Sequence, residues 1–147
     1  MKKIESGRSM IEMLGVLAIV GVLSIGGLAG YQMAMNRYRA SALSDYASRC
    51  VVVAQTKYMS GRVGTGTDAS CNVVLNEAVP SFLGTGTVTI ADTVNGVVTV
   101  TATTVPDAVL TVLNDRFNDG GSNDAKSIGG VKFAKSGTTA TFTFGAS

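Results

Sequence analysis

After Glu12 the chain carries no charge until Arg37: residues 13 to 36 form one uncharged, mostly apolar run of 24 residues. As a helix rising about 1.5 Å per residue, that run is about 36 Å long, more than the ~30 Å hydrocarbon core of a bilayer. The whole chain has 147 residues, 15% of them charged, and a mean hydropathy of +0.31. The excess hydropathy lies in this run, and what remains is enough for one small domain. Composition then narrows the chemistry. The chain has no His and no Trp, so Ser-His-Asp and Cys-His constellations cannot be built, and zinc would depend on two cysteines and carboxylates. A formal net charge of +2 falls short of the basic excess of a dedicated nucleic-acid binder, so no specific nucleic acid is expected as a partner.

Charge is unevenly placed. Residues 36 to 62 hold Arg37, Arg39, Arg49, Lys57 and Arg62 against Asp45 alone, whereas residues 63 to 147 hold four basic and seven acidic side chains. Complementary signs on one small subunit could favour head-to-tail self-association. Solvated helix and domain faces are the plainer reading, since exposed charges are weak at physiological salt.

Three readings compete for the N-terminal run. A secretory signal would explain Lys2-Lys3 ahead of the apolar stretch, with small residues near Gly27, Ala29 and Gly30 for cleavage. A plain membrane anchor would explain the length. The third reading attends to Glu12, a carboxylate two residues inside an apolar sequence that begins at Met10. An unpaired carboxylate in lipid costs at least ~2.5 kcal/mol, which makes such a group a functional-site candidate. Glu12 lies four residues after Arg8, which follows Gly7. Cleavage between Gly7 and Arg8 would create a positive α-amino group that could meet this carboxylate, in the same chain or in a neighbour.

The stretch Gly7-Arg8-Ser9-Met10-Ile11-Glu12-Met13-Leu14, with the apolar run behind it, resembles the class III signal of type IV pilins and type II secretion pseudopilins. In that family a short basic leader ends in Gly, and a prepilin peptidase of the inner membrane cuts after it. A glutamate stands fifth after the cut, and Glu12 has that place when Arg8 is first. The resemblance covers Met1 to about Tyr31. Two positions depart from the pattern. The first residue after the cut is usually Phe or another apolar residue bearing an N-methyl group, and here it is Arg8. Many members carry Pro at the position of Ala29, whereas the first Pro of this chain is Pro80. Gly26, Gly27 and Gly30 could supply the same weak point in the helix, or could serve close helix–helix packing in the membrane. Basic residues flank the run on both sides, so the positive-inside rule leaves orientation open. A cytoplasmic leader is what the resemblance implies.

On this reading residues 1–7 are the leader, 8–34 the transmembrane and filament-core helix, 35–60 an amphipathic helix and 61–147 a C-terminal head. The resemblance implies a structural subunit that starts as an inner-membrane precursor. Prepilin peptidase and the inner-membrane pilus assembly machinery are its partners, together with copies of itself in an extracellular filament. Arg8 and Glu12 would be the subunit-assembly residues, with Glu12 meeting the new N-terminus of a neighbour. The alternatives are a type II secretion pseudopilin and a membrane-anchored or secreted binding domain with a conventional signal.

Between Tyr31 and Ser60 no helix breaker occurs. Tyr31, Met35, Tyr38, Ala42, Tyr46 and Cys50 recur at helical spacing, with Leu43, Ala47, Val51 and Ala54 beside them. This predicts an apolar helix continuing into an amphipathic one, with the tyrosine stripe as core packing. Cys50 and Cys71 are the only cysteines, and in an exported chain an even pair reads as one disulfide; two free thiols in a reduced compartment are the alternative. Residues 72 to 83 look weakly helical around Val74, Leu75 and Ala78.

Val88 and Ile90, an Asn95-Gly96 turn, then Val98, Val100 and Ala102 spell a hairpin with threonines between the apolar positions. Asp107 can cap a helix carrying Val109, Leu110, Leu113 and Phe117. Val131 and Phe133, a Ser136-Gly137 turn, and Ala140, Phe142 and Phe144 spell a second hairpin. The expected fold is therefore α+β: a long N-terminal helix on a four-stranded antiparallel sheet, also what the pilin resemblance implies. Gly61, Gly64 and Gly66 lack the following Lys-Ser/Thr of a phosphate loop. Asp115, Asn118, Asp119, Asn123 and Asp124 do not match an EF-hand spacing; some pseudopilins carry calcium, but a solvated loop is the default, and no metal or cofactor is assigned. Glu77 and Asp92 stand isolated in the sequence, leaving no acid/base couple. An enzyme is not expected.

Overall fold

A computed structural model describes residues 3–57, 69–92, 97–118 and 130–145 of the chain. Two compact units divide it, Met1–Met35 and Asn36–Ser147. The first consists of the beginning of α1, a helix of 55 residues running Lys3–Lys57. The expected end of that helix near residue 60 and the glycine loop at 61–66 lie outside the described residues.

The second unit begins on the same helix, now with a buried face. Ala40, Leu43, Ala47, Cys50 and Ala54 are buried at alternating spacings of three and four, flanked by buried Tyr46 and Val51. The expected tyrosine stripe is corrected here. Tyr46 is core, but Tyr38 is 69% exposed and Tyr31, in the first unit, 62%. The buried face alternates small Ala40, Ala47 and Ala54 with Leu43 and Cys50, so the core is filled from this stripe and needs only one phenol ring, that of Tyr46. After the helix come β1 (Ala69–Ser70), α2 (Cys71–Leu75), a 3₁₀ turn (Ser81–Leu83), β2 (Val88–Asp92) and β3 (Val98–Ala102). Then follow α3 (Asp107–Asn118), β4 (Val131–Ser136) and β5 (Thr139–Phe144).

The strands form one antiparallel sheet in the order β1-β2-β3-β5-β4. Four strands match the expected hairpins, and the two-residue β1 adds a short edge beside Thr89 and Ile90. Register explains the core. Ile90 faces Val100, Val100 faces Phe142 and Phe142 faces Phe133, giving one row of large apolar side chains across four strands. The alternate positions align Thr89, Thr101 and Thr141 on the other face, with Thr99 beside Thr143. Threonine suits that face because a β-branched chain fits the pleat while its hydroxyl meets water. The turn from β4 to β5 has Gly137 at φ 58°, the backbone that a tight hairpin asks of its first central residue. Residues 93–96, including the Asn95-Gly96 turn, lie outside the described residues; the register Asp92 to Val98 nonetheless shows β2 and β3 as a hairpin.

Two helices share the apolar face of the sheet. Val109, Leu110 and Leu113 of α3 are fully buried, and Phe117 completes an aromatic group with Phe133 and Phe142 at centroid distances of 5.3–5.9 Å. Asp107 lies in the first turn of α3 after Pro106, where a carboxylate suits the helix dipole. It accepts a 2.7 Å bond from Lys135 Nζ on β4. The weakly helical expectation for 72 to 83 resolves into two short pieces. Asn76 adopts the left-handed conformation that ends α2, so Ala78 is not helical.

Candidate functional site

Residues 9–34 of the helix are exposed all round. Met10, Ile11, Met13, Leu14, Leu23 and Ile25 are each 65–75% exposed. The helix is long and apolar enough to cross a membrane by length and composition, and none of its most apolar window, with mean hydropathy 2.2, is buried. Cβ atoms built at Gly7, Gly15, Gly21, Gly26, Gly27 and Gly30 meet no atom within 4 Å. Among the described residues these glycines therefore make room for nothing. One polar side chain interrupts the middle of the run: Ser24, whose hydroxyl donates a 2.7 Å bond to the Val20 carbonyl.

The residues expected to direct cleavage and assembly lie on this helix. Gly7 is exposed, Arg8 follows it with helical backbone, and Glu12 is exposed one turn later, about 6 Å along the axis from Arg8. Glu12 already engages a neighbouring group in the chain. Its carboxylate lies at the exposed surface of the apolar helix.

The second unit is locked by covalent and ionic ties. Cys50 Sγ and Cys71 Sγ are bonded, with Cα atoms 5.6 Å apart and both residues fully buried. This joins α1 to the start of α2. Just beyond, Arg49 Nη1 donates to both carboxylate oxygens of Glu77 (2.8 and 3.1 Å), and Arg49 Nε to Asp45 (3.1 Å). The Tyr46 hydroxyl reaches the Glu77 carbonyl at 3.5 Å. Burial pushes the Tyr46 phenol above its ordinary range, the Glu77 charge pushes the same way, and Arg49 opposes both.

Glu77, isolated in the sequence, is thus an ion-pair partner of a residue 28 positions earlier. The Asp45–Arg49 half of that group was legible as a helical i,i+4 pair; the Glu77 half depends on where the disulfide places α2. Together these residues line a groove of about 470 Å³ that also includes Tyr38, Ser41 and Pro80. Asp45, Tyr46, Arg49 and Glu77 are bonded among themselves, an arrangement suited to holding a loop on a helix, while Ser41 accepts a bond from Arg116. Of the acidic and amide residues from Asp115 to Asp124, Asp115 is exposed on α3, and 119–124 lie outside the described residues. Among the described residues no three His, Cys, Asp or Glu side chains cluster as metal ligands would.

Comparison with protein families, with curated proteins and with solved structures found no match.

Proposed function

We propose that this chain is the structural subunit of a type IV pilus, made as an inner-membrane precursor and cut after Gly7 by a prepilin peptidase. Its N-terminal helix then packs with those of other copies in the filament core. One observation carries the reading: an apolar helix uncovered on every side bears a carboxylate, Glu12, one turn after the Gly7-Arg8 junction. Water does not favour that surface, so it needs lipid first and neighbouring helices afterwards. In the filament Glu12 would meet the positive Arg8 α-amino group of another subunit. Pairing offsets the cost of removing both charges from water and fixes the register of each addition. The α+β head, braced by the Cys50–Cys71 disulfide, is consistent with an extracellular location.

Intact-mass analysis and N-terminal sequencing of the mature protein test this directly. A chain starting at Arg8 is expected, whereas a start near Gly30 would mean ordinary secretion. Glu12→Ala is expected to leave export and cleavage intact while filaments seen by electron microscopy are lost; normal filaments from that variant would remove the role assigned to Glu12.

A further inference from the structure

The uncharged run of 24 residues is longer than a bilayer needs, so the helix could sit at several depths. With 18 to 20 residues, about 27–30 Å of helix, spanning the core, the window could slide from residue 13 at one extreme to residue 36 at the other. Polar side chains distinguish the positions. Placing the window at 17–36 would sink Tyr31 and the Gln32 amide well inside the hydrocarbon and add the Asn36 amide at its edge, each a group that lipid cannot solvate. A window of residues 13–30 contains one polar side chain, Ser24, and its hydroxyl is already bonded to the Val20 carbonyl at 2.7 Å. Tyr31 then lies at the far boundary, 62% exposed. An aromatic ring with a hydroxyl favours that layer.

The geometry points to a specific membrane register for the precursor: residues 13–30 span the hydrocarbon, Tyr31 sits in one headgroup layer, and Glu12 sits in the other. This rests on the reading of the N-terminal helix as membrane-embedded. Glu12 and Tyr31 are separated by about 28 Å along the helix, close to the core thickness. In this register the carboxylate is hydrated in the precursor, and its burial is deferred until the subunit enters a filament. The Gly7–Arg8 bond lies about 7 Å farther out than Glu12, in the watery headgroup region where a peptidase at the membrane surface can reach it.

The absence of native Trp makes the register measurable with single introduced fluorophores. Leu17→Trp, Val22→Trp, Leu28→Trp and Tyr31→Trp are made in the full chain and reconstituted in phosphatidylcholine vesicles. The vesicles carry lipids with nitroxide quenchers at shallow or deep acyl positions. From a midpoint between residues 21 and 22, the four sites lie about 7, 1, 10 and 14 Å from the bilayer centre. The ratio of deep to shallow quenching should therefore rank Val22, Leu17, Leu28, Tyr31. Leu28→Trp as the deepest site with Leu17→Trp as the shallowest would place the window at 17–36 and overturn the register. Quenching at none of the four would overturn membrane insertion and the register with it. The expected order in a chain that forms no filaments would leave the register standing and count against the pilus reading alone.

Discussion

Reducing the Cys50–Cys71 bond should destabilise the head by about 3 kcal/mol, the loop-closure term for a ring joining residues 21 positions apart. Small domains are stable by roughly 5–15 kcal/mol, so this is a large share of the total. The competing ties on the same segment are weak. The Arg49–Glu77 ion pair has both side chains about half exposed and is worth ~0–1 kcal/mol. The Tyr46 bond to the Glu77 carbonyl, at 3.5 Å, is at the long limit of geometry. Covalent closure should therefore dominate. Calorimetric scans of the full chain in detergent, oxidised against reduced, isolate the ring term because both sulfurs stay in the core. At about 4 °C per kcal/mol for a head of this size, Tm should fall by roughly 12 °C on reduction. Cys50→Ala with Cys71→Ala should fall farther, since it also removes two fully buried sulfurs. A shift under about 4 °C on reduction would refute the reasoning, showing that packing alone holds α2 against α1.

Three further outcomes follow from burial and close contact. Leu43→Ala, at a fully buried position, should cost about 2–5 kcal/mol, whereas Tyr38→Ala on the exposed side of the same helix should change stability by no more than ~0.5 kcal/mol; equal losses in urea titrations would return the tyrosine stripe to the core. At Gly86→Ala the new Cβ runs into the Thr103 carbonyl oxygen and lies 2.9 Å from the Leu83 carbonyl oxygen. A loss of about 1–3 kcal/mol is expected, and a neutral result would mean the 3₁₀ turn shifts freely. The raised Tyr46 pKa means the folded head holds the phenolic proton more tightly than the unfolded chain. That contribution is complete below pH ~10 and is lost as pH rises through the higher folded value. Ultraviolet titration should show one late-ionising phenol that disappears in Tyr46→Phe and moves earlier in Glu77→Gln; its persistence in Tyr46→Phe would rule out the assignment.

The elements that could be read in advance are those whose pattern is local. Alternation of Val, Ile and Phe with Thr marks both hairpins, and the same alternation fixes which residues enter the core row Ile90, Val100, Phe142, Phe133. The uncharged run marks the apolar helix, and the cysteine pair was legible once export was expected. Along residues 36–57 the helix offers two overlapping stripes, one with tyrosines and one with Ala40, Ala47 and Ala54. Periodicity accepts either, and only the tertiary packing decides, which buries the alanine stripe. Glu77 was unreadable for a related reason, because its partner Arg49 is brought to it by the disulfide and not by any local repeat. β1, with two residues, is too short to carry a period. Gly7, Arg8 and Glu12 were proposed from the sequence, and the structure adds that they lie on one continuous helix. Tyr31 was misread, because its periodicity pointed to core packing and its side chain is exposed.

The glycines of the first unit meet no neighbouring atom that a methyl group would touch. For the isolated chain, alanine at Gly15, Gly21, Gly26, Gly27 or Gly30 is thus sterically free and gains helix propensity. A folding assay would score such changes as neutral or improving. On the proposed function, a variant among them that damages filament formation would act through a neighbouring subunit. If the proposed filament forms, the first 35 residues separate two kinds of mutational tolerance, and a scan run once on monomers and once on assembled material would map the contacts between subunits without a structure of them.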